Sequence, residues 1–139
     1  MNINNNYGLY NTAFGSKGNK VENKATIETL TAEVFEELSE RAEKEVPENG
    51  KFTGISVSYL IPDSQNIGKC IIKYDPLNPK DSRRLYAGVN RAGSDRLVSV
   101  ELLKGSKKDI LNYLSKQENQ KEVIENIKDL SKEVDEYYG

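Results

Sequence analysis

Apolar residues recur at helical spacing near both ends of the chain and at alternating spacing in between. From Ile27 onward, Leu30, Val34, Leu38 and Ala42 step by three or four positions, Phe35 widens the stripe, and glutamates fill the other side. The spacing predicts a helix over 29–46, capped by Thr29 or Thr31. It stops at Val46-Pro47 because proline disfavours the helical conformation of the residue before it. Pro47-Glu48-Asn49-Gly50 then reads as a turn.

The period changes to two at Ile55, Val57, Tyr59 and Ile61, with Ser56 and Ser58 between them, as in a strand with one buried face that ends at Pro62-Asp63. A second strand fits 69–74, with Cys70, Ile72 and Tyr74 on one face. The proline-containing run from Asp75 to Ser82 is a long loop. A third strand over 84–89 and a fourth over 96–103 flank the turn formers Asn90, Gly93, Ser94 and Asp95. None of the links is long enough for a parallel crossover, so the four strands are expected to form an antiparallel meander.

Ser106-Lys107-Lys108-Asp109 has the form of a capping box with Asp in the fourth place, which opens a short helix over 107–116. A second box, Asn119-Gln120-Lys121-Glu122, opens a longer one over 119–137. Its apolar residues Val123, Ile127, Leu130, Val134 and Tyr137 step by four, three, four and three. Two heptads are too few for a free-standing coiled coil. The seam is expected to dock within its own subunit on the sheet face bearing Ile55, Val57 and Tyr59, with a helical dimer interface as the alternative.

The first 24 residues show neither period. Asparagine and glycine dominate, interrupted by Tyr7, Leu9, Tyr10 and Phe14. This stretch reads as a disordered tail whose aromatic side chains are candidates for docking into a partner. The expectation is therefore an α+β chain in the order α-β-β-β-β-α-α, with a flexible tail over 1–24 and one domain over 25–139.

At 139 residues the chain has room for one core. Met1 to Asn6 contains neither a basic stretch nor an apolar run, and no later run approaches membrane-spanning length, so a cytoplasmic protein without a membrane partner is expected. The single cysteine, Cys70, allows no intrachain disulfide and reads as a buried strand residue. There is no histidine, which removes the usual general base near neutral pH, the commonest ligand for zinc and haem iron, and the middle member of most nucleophilic triads. Phe14-Gly15-Ser16-Lys17-Gly18-Asn19-Lys20 lacks the glycine spacing and the Lys-Ser/Thr ending of a phosphate loop. No cofactor or metal site is expected.

Charge is sharply divided along the chain. Residues 69–108 hold ten basic and four acidic side chains, residues 21–50 hold three and nine, and residues 109–139 hold four and eight. Arg83, Arg84, Arg91 and Arg96, four of the five arginines, fall within fourteen residues. Two arrangements fit: the basic sheet and the acidic helices complement one another inside the fold, or the arginines present a patch to an anion. A strand over 84–89 places Arg83 and Arg84 at the opposite end from Arg91, which argues against a single patch.

The sequence alone does not establish a biochemical activity. It favours a small non-enzymatic interaction or adaptor protein with another protein as partner, using Tyr7, Tyr10 and Phe14. The alternative is an anion- or nucleic-acid-binding module using Arg83, Arg84, Arg91 and Arg96. A third reading, an enzyme built on the turn carboxylates Asp63, Asp75, Asp81 and Asp95 or on Tyr74 and Tyr86, needs groups to converge that nothing in their spacing brings together.

Overall fold

The computed structural model describes residues 25–74 and 82–139. The proposed tail and most of the loop from Asp75 to Ser82 lie outside them. The described elements follow the expected order: α1 (Ile27–Glu45), β1 (Gly54–Leu60), β2 (Asn66–Tyr74), β3 (Arg83–Arg91), β4 (Leu97–Gly105), α2 (Lys107–Leu114) and α3 (Gln117–Tyr138). The strands form one antiparallel sheet in sequential order. All three helices pack on the same face of it.

Thr26, not Thr29 or Thr31, caps α1. Its hydroxyl accepts from Thr29 N–H at 3.1 Å, and the Thr29 hydroxyl accepts from Thr26 N–H at 3.0 Å. This reciprocal pair satisfies two of the donors a helix start leaves open. Thr31 lies one turn further on, fully buried, with its hydroxyl 3.1 Å from Tyr59 Oη.

β2 starts three residues before the sequence pattern shows it. The residues that face the helices there are Asn66 and Gly68, which carry no apolar signal. Asn66 is fully buried, and a Cβ at position 68 would lie 3.2 Å from Tyr59 and 3.3 Å from Ile127. Glycine is the residue that lets both side chains close over the strand. β3 extends to arginines at both ends. Between Leu85 and Tyr86 the pairing with β4 shifts from Leu103 to Glu101, so Leu102 is an extra residue in β4.

The core is built from Val34, Phe35 and Leu38 of α1, the inward row Ile55, Val57, Cys70, Ile72, Leu85, Ala87 and Val89, Ile110 and Leu114 of α2, and Val123, Ile127 and Val134 of α3. The C-terminal seam does dock on the sheet, but over β3 with β2 and β4 at its sides, while α1 covers β1. Two details differ from expectation. Leu130 is only half-buried, and Tyr137 is 61% exposed beyond the end of the core. The second capping box is not used as a cap, because α3 starts earlier, at Gln117, and its N-cap residue Lys116 makes no side-chain cap bond. Asn119 instead donates to Tyr113 O at 2.8 Å, and Glu122 accepts the Tyr113 hydroxyl, tying α2 to α3.

Candidate functional site

With the helices on one face, the other face of the sheet is left without a helix across it among the described residues. Side chains alternate along a strand, so strand register sorts that face into four rows running across the sheet. The first is Leu60, Ile67, Asn90 and Leu97; the second Ser58, Lys69, Gly88 and Ser99. The third is Ser56, Ile71, Tyr86 and Glu101; the fourth Gly54, Lys73, Arg84 and Lys104. The face is thus graded: apolar at one end, basic at the other, with a row of mostly small residues between the bulky first and third rows.

The apolar end departs from the ordinary polar surface of a half-covered antiparallel sheet. Leu60 is 58% exposed and Leu97 42%. Asn90 lies between Ile67 and Leu97 and donates through Nδ2 to the carbonyls of Arg91 and Ser94, while its buried Oδ1 has no hydrogen-bond partner among the described residues. At the basic end Arg84 is paired with Glu101. Lys69, Lys73 and Lys104 have no ion-pair partner among the described residues.

The helical layer has the opposite sign. α1 carries seven acidic and two basic residues, α3 seven and three. These charges project from the far side of the sheet, so they do not neutralise the open face. Arg91 to Asp135, at 3.0 Å, is an ion pair that joins the sheet to a helix; Arg41 to Glu45 lies within α1. The open face carries Lys69, Lys73, Arg84 and Lys104 against Glu101, whereas Arg83 and Arg91 point to the helix side and Lys107 and Lys108 lie on α2, so the division of charge in the sequence is only partly a division between faces.

The four arginines do not form one patch. Arg83 points inward and is fully buried, donating to Gly50 O at 2.8 Å and Pro47 O at 3.3 Å, with its guanidinium 5.1 Å from the Phe52 ring centroid and 5.5 Å from that of Tyr74. It fastens the turn after α1 and faces no solvent. Arg84, its neighbour, is on the open face. Arg91 is at the opposite end of β3, held by Asn66 and Asp135 with its guanidinium 4.8 Å from the Tyr138 ring centroid. Arg96 stacks at 4.0 Å on Tyr137. Tyr7, Tyr10 and Phe14 lie outside the described residues. The apolar row and the lysines of the open face were missed by the sequence analysis, although strict alternation on β1 and β2 would have placed Lys69, Ile71 and Lys73 opposite the core.

Other chemistry is sparse among the described residues. Burial pushes the Cys70 thiol up to about 12, so it stays protonated and inert at neutral pH. Burial likewise lifts the Tyr59 hydroxyl to about 12, against the opposing effect of its bond to Thr31. Tyr74 packs inward while Tyr86 faces outward, so the two do not meet. No group of three His, Cys, Asp or Glu side chains among the described residues is placed to hold a metal ion, and no described helix is long and apolar enough to cross a membrane. No protein-family model, curated protein or solved structure matches the chain.

Proposed function

We propose that the chain is a small non-enzymatic adaptor whose open sheet face docks an acidic, leucine-bearing segment of a partner protein. The observation that carries this reading is the graded face itself: an apolar row with exposed Leu60 and Leu97 at its ends and half-buried Ile67 between them, beside Lys69, Lys73, Arg84 and Lys104. Apolar contact supplies affinity, and the lysines select for carboxylates and orient the partner. The acidic helices on the far side repel the same partner and so restrict docking to one face.

A nucleic-acid ligand fits this face less well. Tyr86 is the one aromatic side chain in its four rows, whereas a single-strand platform stacks successive bases on several rings. The arginine segment 83–96 supplies it with Arg84 alone, since Arg83 is interior and Arg91 and Arg96 lie at the edge beside α3.

The test compares the affinity of extended peptides of alternating glutamate and leucine with that of lysine-leucine counterparts and of a single-stranded oligonucleotide. The acidic peptide is expected to bind alone. Its binding should be abolished by Lys69→Glu with Lys73→Glu and Lys104→Glu, and kept by Lys121→Glu on α3. Binding that survives the triple reversal, or that prefers the oligonucleotide, would overturn the proposal.

A further inference from the structure

We propose a second, separate site: the cleft between the 62–65 turn and the C-terminal half of α3 binds a small phosphate monoester bearing a hydroxyl group. The cleft holds about 750 Å³ and is lined by Asp63, Ser64, Arg91, Lys128, Ser131 and Lys132, among others. That volume is in the range of ligand pockets, roughly 300–1,000 Å³.

Its walls are fixed by hydrogen bonds within the turn and between Arg91, Asn66 and Asp135. On the turn side, Asn66 N–H donates to Ser64 Oγ at 2.9 Å and Ala92 N–H to Gln65 O at 2.8 Å, so the turn is anchored to both neighbouring strands. Asp63 adopts φ +59°, the left-handed conformation that aspartate tolerates better than most residues. On the floor, Arg91 gives Nε to Asn66 Oδ1 and one terminal nitrogen to Asp135 Oδ1. Its other terminal nitrogen has no hydrogen bond among the described residues, and the guanidinium is held in place by Tyr138.

Lys128 and Lys132 are one helical turn apart, and neither has an ion-pair partner among the described residues. Because Asp135 is already engaged by Arg91 and Asn66, Asp63 is the one uncommitted carboxylate among the residues that line the cleft with the two lysines. A phosphate monoester carries about −1.5 to −2 at neutral pH and offers three acceptor oxygens, which matches two ammonium groups and one free guanidinium nitrogen. Asp63 repels a bare anion but accepts from a hydroxyl on the same molecule, so it selects a hydroxylated ester over inorganic phosphate.

The probes are glycerol 3-phosphate, inorganic phosphate and glycerol, titrated into the full chain at fixed ionic strength and followed by backbone amide shifts. Glycerol 3-phosphate is expected to give saturable shifts at Ser64, Gln65, Ser131 and Lys132. Lys128→Gln with Lys132→Gln should weaken it by at least about tenfold while the melting curve stays as in the parent, both lysines being exposed. Lys69→Gln with Lys73→Gln on the open sheet face should leave the affinity unchanged, which separates this site from the docking face. Shifts that never saturate, an affinity untouched by the α3 double variant, or equal affinity for glycerol or inorganic phosphate would each overturn the proposal.

Discussion

Asn66 Nδ2 donates to Asp135 Oδ1 at 2.9 Å, across 69 positions of sequence, and joins the first residue of β2 to the last turn of α3. The same amide donates to Ser131 Oγ at 2.9 Å, and its oxygen accepts from Arg91 Nε at 2.8 Å. One fully buried side chain thus fixes the end of the sheet, the end of α3 and the floor of the cleft.

Replacing Asn66 with Ala should cost about 1–3 kcal/mol, because Arg91 Nε and the α3 acceptors lose a partner where water reaches poorly. Asp135→Ala should cost less, about 1 kcal/mol or below, since that carboxylate is 60% exposed and water replaces much of what it gives. Urea denaturation of the two variants checks the order, and equal losses would contradict it.

Arg83 gives a prediction that separates a structural arginine from a binding one. Arg83→Ala removes the donors for Pro47 and Gly50 carbonyls and the cation between Phe52 and Tyr74, and should destabilise by about 2–4 kcal/mol. Lys at this position should recover only part of that, having no planar fork. Arg84→Ala, on the open face, should change the melting temperature little and weaken the acidic peptide instead.

Stability should fall on the alkaline side from about pH 9. The Cys70 thiol ionises near its ordinary value of 9.0 in the unfolded chain but at about 12 in the folded one, and Tyr59 shifts from 10.0 to about 12. Between those values the unfolded state has lost protons the folded state keeps, so the slope of stability with pH is negative. The contribution is complete below the unfolded values and lost as pH rises towards 12. Cys70→Ala should flatten the melting temperature between pH 9 and 10, and a thiol reagent should label native Cys70 only as fast as the chain opens.

Ile127 and Leu130 should no longer behave as equals. Ile127 is fully buried against Gly68 of β2, so Ile127→Ala should cost about 2–5 kcal/mol. Leu130 is half-buried, and Leu130→Ala should cost less than half as much. Sizing should show no change of association state in either variant; a dimer that falls apart would show that the seam also serves between subunits.

Element order and type were legible because apolar period carries them. Val34 to Ala42, Ile55 and Val57, and Val123, Ile127 and Val134 bury the face their spacing marks, while Leu30 and Leu130 of the same stripes are only half-buried. What was hidden lies where a polar or missing side chain does structural work. Asn66 and Gly68 concealed the start of β2, and Arg83 looked like a loop cation until tertiary packing enclosed it. Charge segregation was visible, but its meaning was not, because only the layer arrangement puts Lys69, Lys73 and Lys104 on one side and the glutamates of α1 and α3 on the other. Leu60 and Leu97 belong to one apolar row through pairing across four strands, which spacing within a strand cannot reveal.

The most direct test of the docking face is a map of backbone amide shifts on titrating the glutamate-leucine peptide into the full chain. Saturable shifts are expected along Leu60, Lys69, Gly88 and Leu97 and around Lys73, Arg84 and Lys104, weakening as salt is raised because Lys73 and Lys104 are exposed. Shifts confined to α1 and α3, or a saturable map that leaves those seven positions unmoved, would contradict the docking face.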